Sequence, residues 1–196
     1  TGRLTCYIEP SVGPRVRVDS GVREGDKIGI YYDPMLAKLI THGCTRNDAI
    51  DAMCGALDQF CIEGVTTNLP LLAQVMAHPR FVRGQLSTHF LSEEYPDGFA
   101  VQPLDCAGQL QVAAVAAVLN CYKHKLGPGL ASGNPICRVV RIEDKLFETQ
   151  CTATGIDYRV QVGGVRFVVA MDNYRGQVQV ALIINGKPFD AQVRWD

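Results

Sequence analysis

Two arginines on alternate positions, Arg15 and Arg17, stand in the run Gly-Pro-Arg-Val-Arg-Val-Asp-Ser from Gly13 to Ser20. A guanidinium is charged at every physiological pH, and one held in place can stabilise an oxyanion or enolate forming beside it. Val16 and Val18 alternate with Arg15, Arg17 and Asp19, which predicts a short strand with both arginines on one face. On residue types alone, a solvated strand arginine is the ordinary reading of Arg17. The histidines at 42, 78, 89 and 124 show no ligand spacing, and neither a Ser/His/Asp arrangement nor a phosphate-binding glycine loop is present.

The eight cysteines, at 6, 44, 54, 61, 106, 121, 137 and 151, include no C-x-x-C pair, so no zinc site is expected. Cys54, Cys61 and Cys121 fall inside apolar periodic runs, where a cysteine acts as a small buried hydrophobe, and reduced thiols suit a reducing compartment. The chain is 47% hydrophobic and 20% charged, with a formal net charge of -1 and a pI near 6.4. These are values of a soluble globular protein of one large or two small domains, without the basic excess that nucleic acid or an anionic membrane surface would require. The opening residues TGRLTCYIEP carry no signal-peptide pattern.

The elements that must position Arg17 follow from periodicity. Leu4 to Ile8, Arg15 to Val18, Ile28 to Tyr32 and Leu36 to Thr41 read as strands. Thr45 to Asp48 has the form of a capping box before an amphipathic run in which Ile50, Met53, Ala56, Leu57 and Phe60 recur at helical spacing, predicting a helix over 46–60. Gly64 ends that unit. A second helix starts near Asn68, turns Leu71, Leu72, Val75 and Met76 inward, and stops before Pro79. The Pro- and Gly-containing stretch from Ser92 to Pro103 places a linker at residues 93–104, between domains 1–92 and 105–196.

Beyond the linker, Asp105 is a plausible N-cap for a helix that is apolar nearly all round, interrupted by Gln109, Gln111 and Asn120, and ending before Gly127 and Pro128. Its unbroken apolar run, Val112 to Leu119, is far shorter than the ~20 residues a membrane span needs, so protein must enclose it. Six strand-like runs follow: Ile136–Ile142, Lys145–Cys151, Asp157–Val162, Val165–Ala170, Gln177–Ile184 and Phe189–Trp195. Gly163-Gly164 and Asn185-Gly186 are the residue types of tight hairpins, which require positive φ. A strand meander curled around one apolar helix is the simplest solution, and the fold class is α+β.

The Gly13–Ser20 run, the run Tyr-Tyr-Asp-Pro-Met-Leu-Ala-Lys-Leu from Tyr31 to Leu39, Gly-Val-Thr-Thr-Asn from Gly64 and Ser-Thr-His-Phe-Leu from Ser87 together resemble, in unbroken order over about residues 2–92, the C-terminal part of biotin carboxylase domains. The segment from Glu94 to Phe99 and the helix-then-strands order resemble α subunits of the propionyl-CoA carboxylase type. In that family a long helix within an antiparallel barrel, the BT domain, contacts the carboxyltransferase β subunit.

The resemblance implies that Arg17 faces the biotin ureido ring as the catalytic and cofactor-binding arginine. It implies a solvated Arg15 and a strand steadied by Asp19 and Ser20. Asp33 and Lys38 would serve turn geometry and a buried or interface ion pair. It implies a ligase using ATP, Mg2+ and bicarbonate to carboxylate biotin, with the carboxyltransferase β subunit and the biotin carboxyl carrier domain of the same chain as partners. The ATP-grasp elements lie upstream of the matched region and the Met-Lys-Met biotin acceptor downstream, so this piece is expected to be inactive alone and to retain no cofactor or metal. The family's barrel has about eight strands against six here, so the docking domain is expected to be truncated. The 3-methylcrotonyl-CoA carboxylase α subunit and a purely structural assembly module are the alternatives. The implied location is the mitochondrial matrix for a eukaryotic source and the cytoplasm for a bacterial one.

Overall fold

The computed structural model describes residues 1–31, 33–101, 103–124, 135–154, 157–175 and 179–193, in two compact units, 1–101 and 102–196. The first unit contains β1 (Gly2–Arg3), β2 (Cys6–Ile8), β3 (Val16–Ser20), β4 (Lys27–Ile28), β5 (Ala37–Thr41), α1 (Arg46–Gln59), β6 (Cys61–Glu63), α2 (Leu69–Ala77), α3 (Pro79–Val82) and α4 (Phe90–Glu94). Its strands form three two-stranded antiparallel ladders, β1 with β4, β2 with β6 and β3 with β5.

α1 begins where Thr45 accepts from the Asp48 backbone N–H at 3.2 Å and the Asp48 carboxylate accepts from the Thr45 N–H at 3.0 Å, so the expected capping box is formed. Ile50, Ala56, Leu57 and Phe60 are buried as the spacing predicts, with Cys61 continuing the face into β6. The strand expected over 28–32 ends at Ile28; Ile30 and Tyr31 are turn residues, exposed at 73% and 94%, and residue 32 lies outside the described set. Isolated side chains with no partner strand to shelter them do not hold an extended ladder.

α3 and α4 were not legible in the sequence. α3 restarts the chain at Pro79, where proline's fixed φ suits a first helical turn, and α4 occupies the start of the stretch expected to be linker. A compact ionic cluster joins them. The Arg80 guanidinium donates to the carboxylates of Glu94 and of Glu93, the latter at 2.8 Å, and lies over the Phe90 ring; His78 Nε2 meets Glu94 at 3.1 Å. Hydrogen bonding from Arg80 holds the Glu94 carboxyl below its ordinary value. The unfolded chain therefore takes up this proton first on acidification: the stabilisation is present above the ordinary glutamate range and is lost as pH falls through the folded value. Thermal melts across that range should show a falling midpoint, and Glu94→Gln should flatten the fall; identical pH profiles for the two proteins would rule out the cluster as the source.

The second unit contains α5 (Cys106–Lys123) and a six-stranded antiparallel meander in sequence order: β7 (Ile136–Ile142), β8 (Lys145–Thr154), β9 (Asp157–Val162), β10 (Val165–Arg175), β11 (Gln179–Ile184) and β12 (Lys187–Gln192). Asp105 caps α5 by accepting from the Gly108 N–H at 2.7 Å. Gly163 and Gly164 have φ of 54° and 84°, and Asn185 and Gly186 have 50° and 80°, the left-handed pair that matches the strand twist. A third tight hairpin, at Glu143-Asp144, was not anticipated, because glutamate is an unusual choice for its φ of 53°. The expected ends of β11 and β12 at residues 177–178 and 194–195, and Gly127-Pro128 after α5, lie outside the described residues.

Ala113, Ala114, Val115, Ala117, Val118 and Leu119 are all buried and cover most of the circumference of α5, with Val112 and Ala116 half-buried on the remaining side. One core joins them to Tyr158, Val160 and Val162 of β9, Val169 of β10 and Leu182 of β11. Two of the polar interruptions in the helix, Gln109 and Asn120, have partners on the sheet, while Gln111 is exposed. Buried Gln109 accepts from the Lys145 ammonium at 3.2 Å and donates to the Leu104 carbonyl, and Asn120 accepts from Arg138 at 3.1 Å. The bonds of Gln109 satisfy a buried amide that would otherwise be stranded against apolar surface, and the two contacts with the sheet fix the helix in register with β7 and the start of β8.

Candidate functional site

β3 pairs with β5 so that Arg17 lies opposite Ile40 and Asp19 opposite Lys38. Val16 and Val18 turn toward the unit's interior, which leaves Arg17 and Asp19 on the open face, as the alternation requires. The Arg17 side chain is 67% exposed and its guanidinium forks onto the Asp19 carboxylate, at 3.1 Å from Nε and 3.3 Å from the terminal nitrogen. An exposed pair of this kind adds little stability, yet it aims the guanidinium plane without burying the charge. Ser20 steadies the strand end differently: its hydroxyl donates to the Val22 carbonyl at 2.9 Å and meets the Tyr7 hydroxyl at 2.6 Å.

Arg15 is not simply solvated. It donates to the Asp48 carbonyl at 2.8 Å and lies 3.5 Å from the His42 carbonyl, so it ties the entry to β3 to the first turn of α1. Sequence reasoning missed this because carbonyl acceptors carry no residue-type signature. Arg15 and Arg17 both line a shallow groove of about 410 Å³, completed by residues 12–14 on one side and Ile40, Thr41 and His42 on the other. The groove offers permanent positive charge on an otherwise mostly apolar rim. That combination suits a neutral, planar ligand that becomes negative during reaction, since the fixed charge gains most when the ligand's charge develops.

Asp33 serves turn geometry, its carboxylate accepting from the Met35 N–H at 2.9 Å. It makes no ion pair with Lys38 within the chain, because Lys38 projects from β5 beside Asp19. Asp33 also sits at the edge of a second, larger groove of about 580 Å³, lined by Leu36, Leu39, Met53, Leu57, Phe60 and Met76 among others. That lining is mostly apolar, with Asp33, Thr66, Thr67 and Asn68 as its polar members. Met53 and Met76, expected in the core, instead form part of this lining.

The histidines remain apart from the Arg17 groove except for His42, which contributes its backbone carbonyl. Among the described residues no three His, Cys, Asp or Glu side chains come together in a way that could hold a metal ion. No described helix is long and apolar enough to cross a membrane. What the structure places around Arg17 is a strand-borne guanidinium, oriented by Asp19, in a groove.

Residues 1–93 match the biotin carboxylase C-terminal domain family. Residues 1–93 therefore belong to that domain family. The chain is 39% identical over 181 residues, 86% of its length, to the mitochondrial propionyl-CoA carboxylase α chain of Homo sapiens, and 50% identical over 57% of its length to the propionyl-CoA carboxylase α chain of Ruegeria pomeroyi. The mitochondrial methylcrotonoyl-CoA carboxylase α subunit of Arabidopsis thaliana is less similar, at 31% over 79% of the chain. The match spans 24% of the human chain and 16% of the bacterial one, so the chain corresponds to about a quarter or less of such relatives.

Proposed function

We propose that the chain is the part of a propionyl-CoA carboxylase α subunit that supplies Arg17 to biotin carboxylation and carries a docking surface for the carboxyltransferase β subunit. The observation behind the first half is the exposed, Asp19-oriented guanidinium of Arg17 at the rim of a groove within a biotin carboxylase C-terminal domain. Biotin, when bound, supplies the ureido nitrogen that accepts the carboxyl group. Arg17 would hold a fixed positive charge beside the ureido oxygen of bound biotin, a role that needs an oriented cation and no proton transfer from the arginine itself. ATP, Mg2+ and bicarbonate would be handled by the remainder of the α subunit, and the biotin carboxyl carrier domain of the same polypeptide would deliver the cofactor to the groove.

The second half rests on residues 105–196 forming a BT-type docking domain. Its interior is committed to packing α5 against the sheet, which suits a scaffold. As an assembly module it is compatible with the enzymatic reading, since one polypeptide can do both. The higher identities to propionyl-type α chains favour that type over the methylcrotonoyl type. In a eukaryotic source the location would be the mitochondrial matrix, and in a bacterial one the cytoplasm.

The test is a replacement. The matching segment of the Ruegeria pomeroyi α chain is exchanged for this sequence, and bicarbonate- and ATP-dependent carboxylation of biotin is measured together with retention of the β subunit on an affinity-tagged α chain. Both should survive. A chimera that folds and binds β but no longer carboxylates biotin would overturn the catalytic half, and one that carboxylates biotin but fails to hold β would overturn the docking half.

A further inference from the structure

The eight cysteines include one pair that links two strands of the first unit, with one member reachable from solvent. Cys6 lies on β2 and Cys61 on β6, which pair antiparallel with Cys6 opposite Glu63 and Ile8 opposite Cys61. Positions two apart on a strand share a face, so Cys6 and Cys61 are diagonal neighbours on the same side of the ladder. Their sulfurs are 3.5 Å apart. Cys61 is 2% exposed, whereas Cys6 is half-buried. Cys44, Cys106 and Cys137 are exposed, and Cys121 and Cys151 are both sealed in the core of the second unit.

We propose that Cys6 and Cys61 form an oxidation site that takes a low-molecular-weight disulfide as its co-substrate and closes to an intrachain disulfide. The Cys6 thiolate attacks one sulfur of the small disulfide, forming a mixed disulfide and releasing one small thiolate. The Cys61 sulfur then attacks the Cys6 sulfur. The Cys6–Cys61 bond forms, the second small thiolate leaves, and the two protons lost by the protein end on the two small thiols. Two protein thiols are oxidised and one small disulfide is reduced to two thiols.

The order of attack follows from the surroundings. Burial first, and then the hydrogen bond with Cys6, push the Cys61 thiol up to about 12, so the half-buried Cys6 is the point of first attack, and Cys61 gives up its proton to the departing small thiolate as it closes onto the Cys6 sulfur 3.5 Å away. Proximity then makes closure intramolecular, which favours it over attack by a second small thiol. The closed bond would span residues 6 to 61, a loop that contains β3, β5 and α1 and hence the whole Arg17 groove. Reduction by small thiols would reopen it.

The 196-residue chain is treated with oxidised glutathione under native conditions, alkylated, and analysed by intact mass and by tryptic mapping. The expected product has lost two hydrogens and joins the fragment Leu4–Arg15 to the fragment Asn47–Arg80. Because the second fragment also contains Cys54, the link should persist in Cys54→Ser and vanish in Cys61→Ser. Cys6→Ser, at the half-exposed position, provides a second loss variant should Cys61→Ser fold poorly. Recovery of Cys6 as a lasting glutathione adduct would overturn the proposal, as would an unmodified Cys6 alongside modified Cys44, Cys106 and Cys137, or a link unchanged in Cys61→Ser.

Discussion

In a full-length α chain carrying this segment, Arg17→Ala should lower biotin carboxylation by about 100-fold or more, the usual loss when one donor to a developing negative charge is removed. The expectation rests on where the charge stands. Arg17 is held on a strand whose other face is packed, and its guanidinium is oriented by Asp19 and remains 67% exposed, available to a ligand in the groove. For the same reason its removal should leave the fold almost untouched, because an exposed i,i+2 pair contributes little to stability. The two readouts therefore separate: carboxylation of biotin falls while the melting midpoint and β-subunit retention stay. Arg17→Lys should recover only part of the rate, since an ammonium keeps the charge but loses the planar fork. Wild-type biotin-dependent turnover in Arg17→Ala would remove Arg17 from the mechanism.

The largest expected effect on stability is at Gly64. This residue follows β6 with φ of +92°, a region that side chains rarely occupy, and a Cβ built there would lie 1.9 Å from the Arg3 carbonyl oxygen and 2.9 Å from the Thr5 nitrogen. The approach is mutual, since a Cβ on Gly2 would lie 2.5 Å from the Gly64 carbonyl oxygen. Backbone meets backbone here, and the Thr5 N–H donates to the Glu63 carbonyl at 3.0 Å beside the crossing, so no flexible side chain can move aside. Strain of this kind typically costs 1–3 kcal/mol and the clash adds to it, so Gly64→Ala should destabilise the first unit by about 3 kcal/mol. Urea denaturation measures it directly. A change within ~0.5 kcal/mol, the ordinary range for surface substitutions, would mean that the segment from Gly2 to Thr5 does not cross Gly64 this closely.

Gly64 also shows where sequence reading reaches its limit. Its sequence position marks the end of a helical unit, but what makes an alanine intolerable is Arg3, some sixty residues earlier, and no local pattern records that approach. α3 and α4 escaped for a related reason. Their turns are too short to show periodicity, and they are held by an Arg80 cluster whose members come from two separate segments, 78–80 and 90–94. Arg15 looked solvated because its partners are carbonyl oxygens, which every residue has.

What the sequence determined by itself was everything carried by periodicity and residue type. Alternation put Arg17 and Asp19 on one face of β3. Thr45 and Asp48 specified the start of α1, the all-round apolar run of α5 required an enclosing sheet, and Gly163-Gly164 and Asn185-Gly186 located two of its turns. These features are local, fixed by sterics and by one-face burial within a few residues. Only the tertiary structure decided that the Arg17 guanidinium rests on Asp19 at the rim of a groove and that Met53 and Met76 line an apolar cleft. It alone brought the Cys6 and Cys61 sulfurs to 3.5 Å. Those facts depend on which segments of the chain meet, and a contact between distant residues is set by the packing of the whole unit.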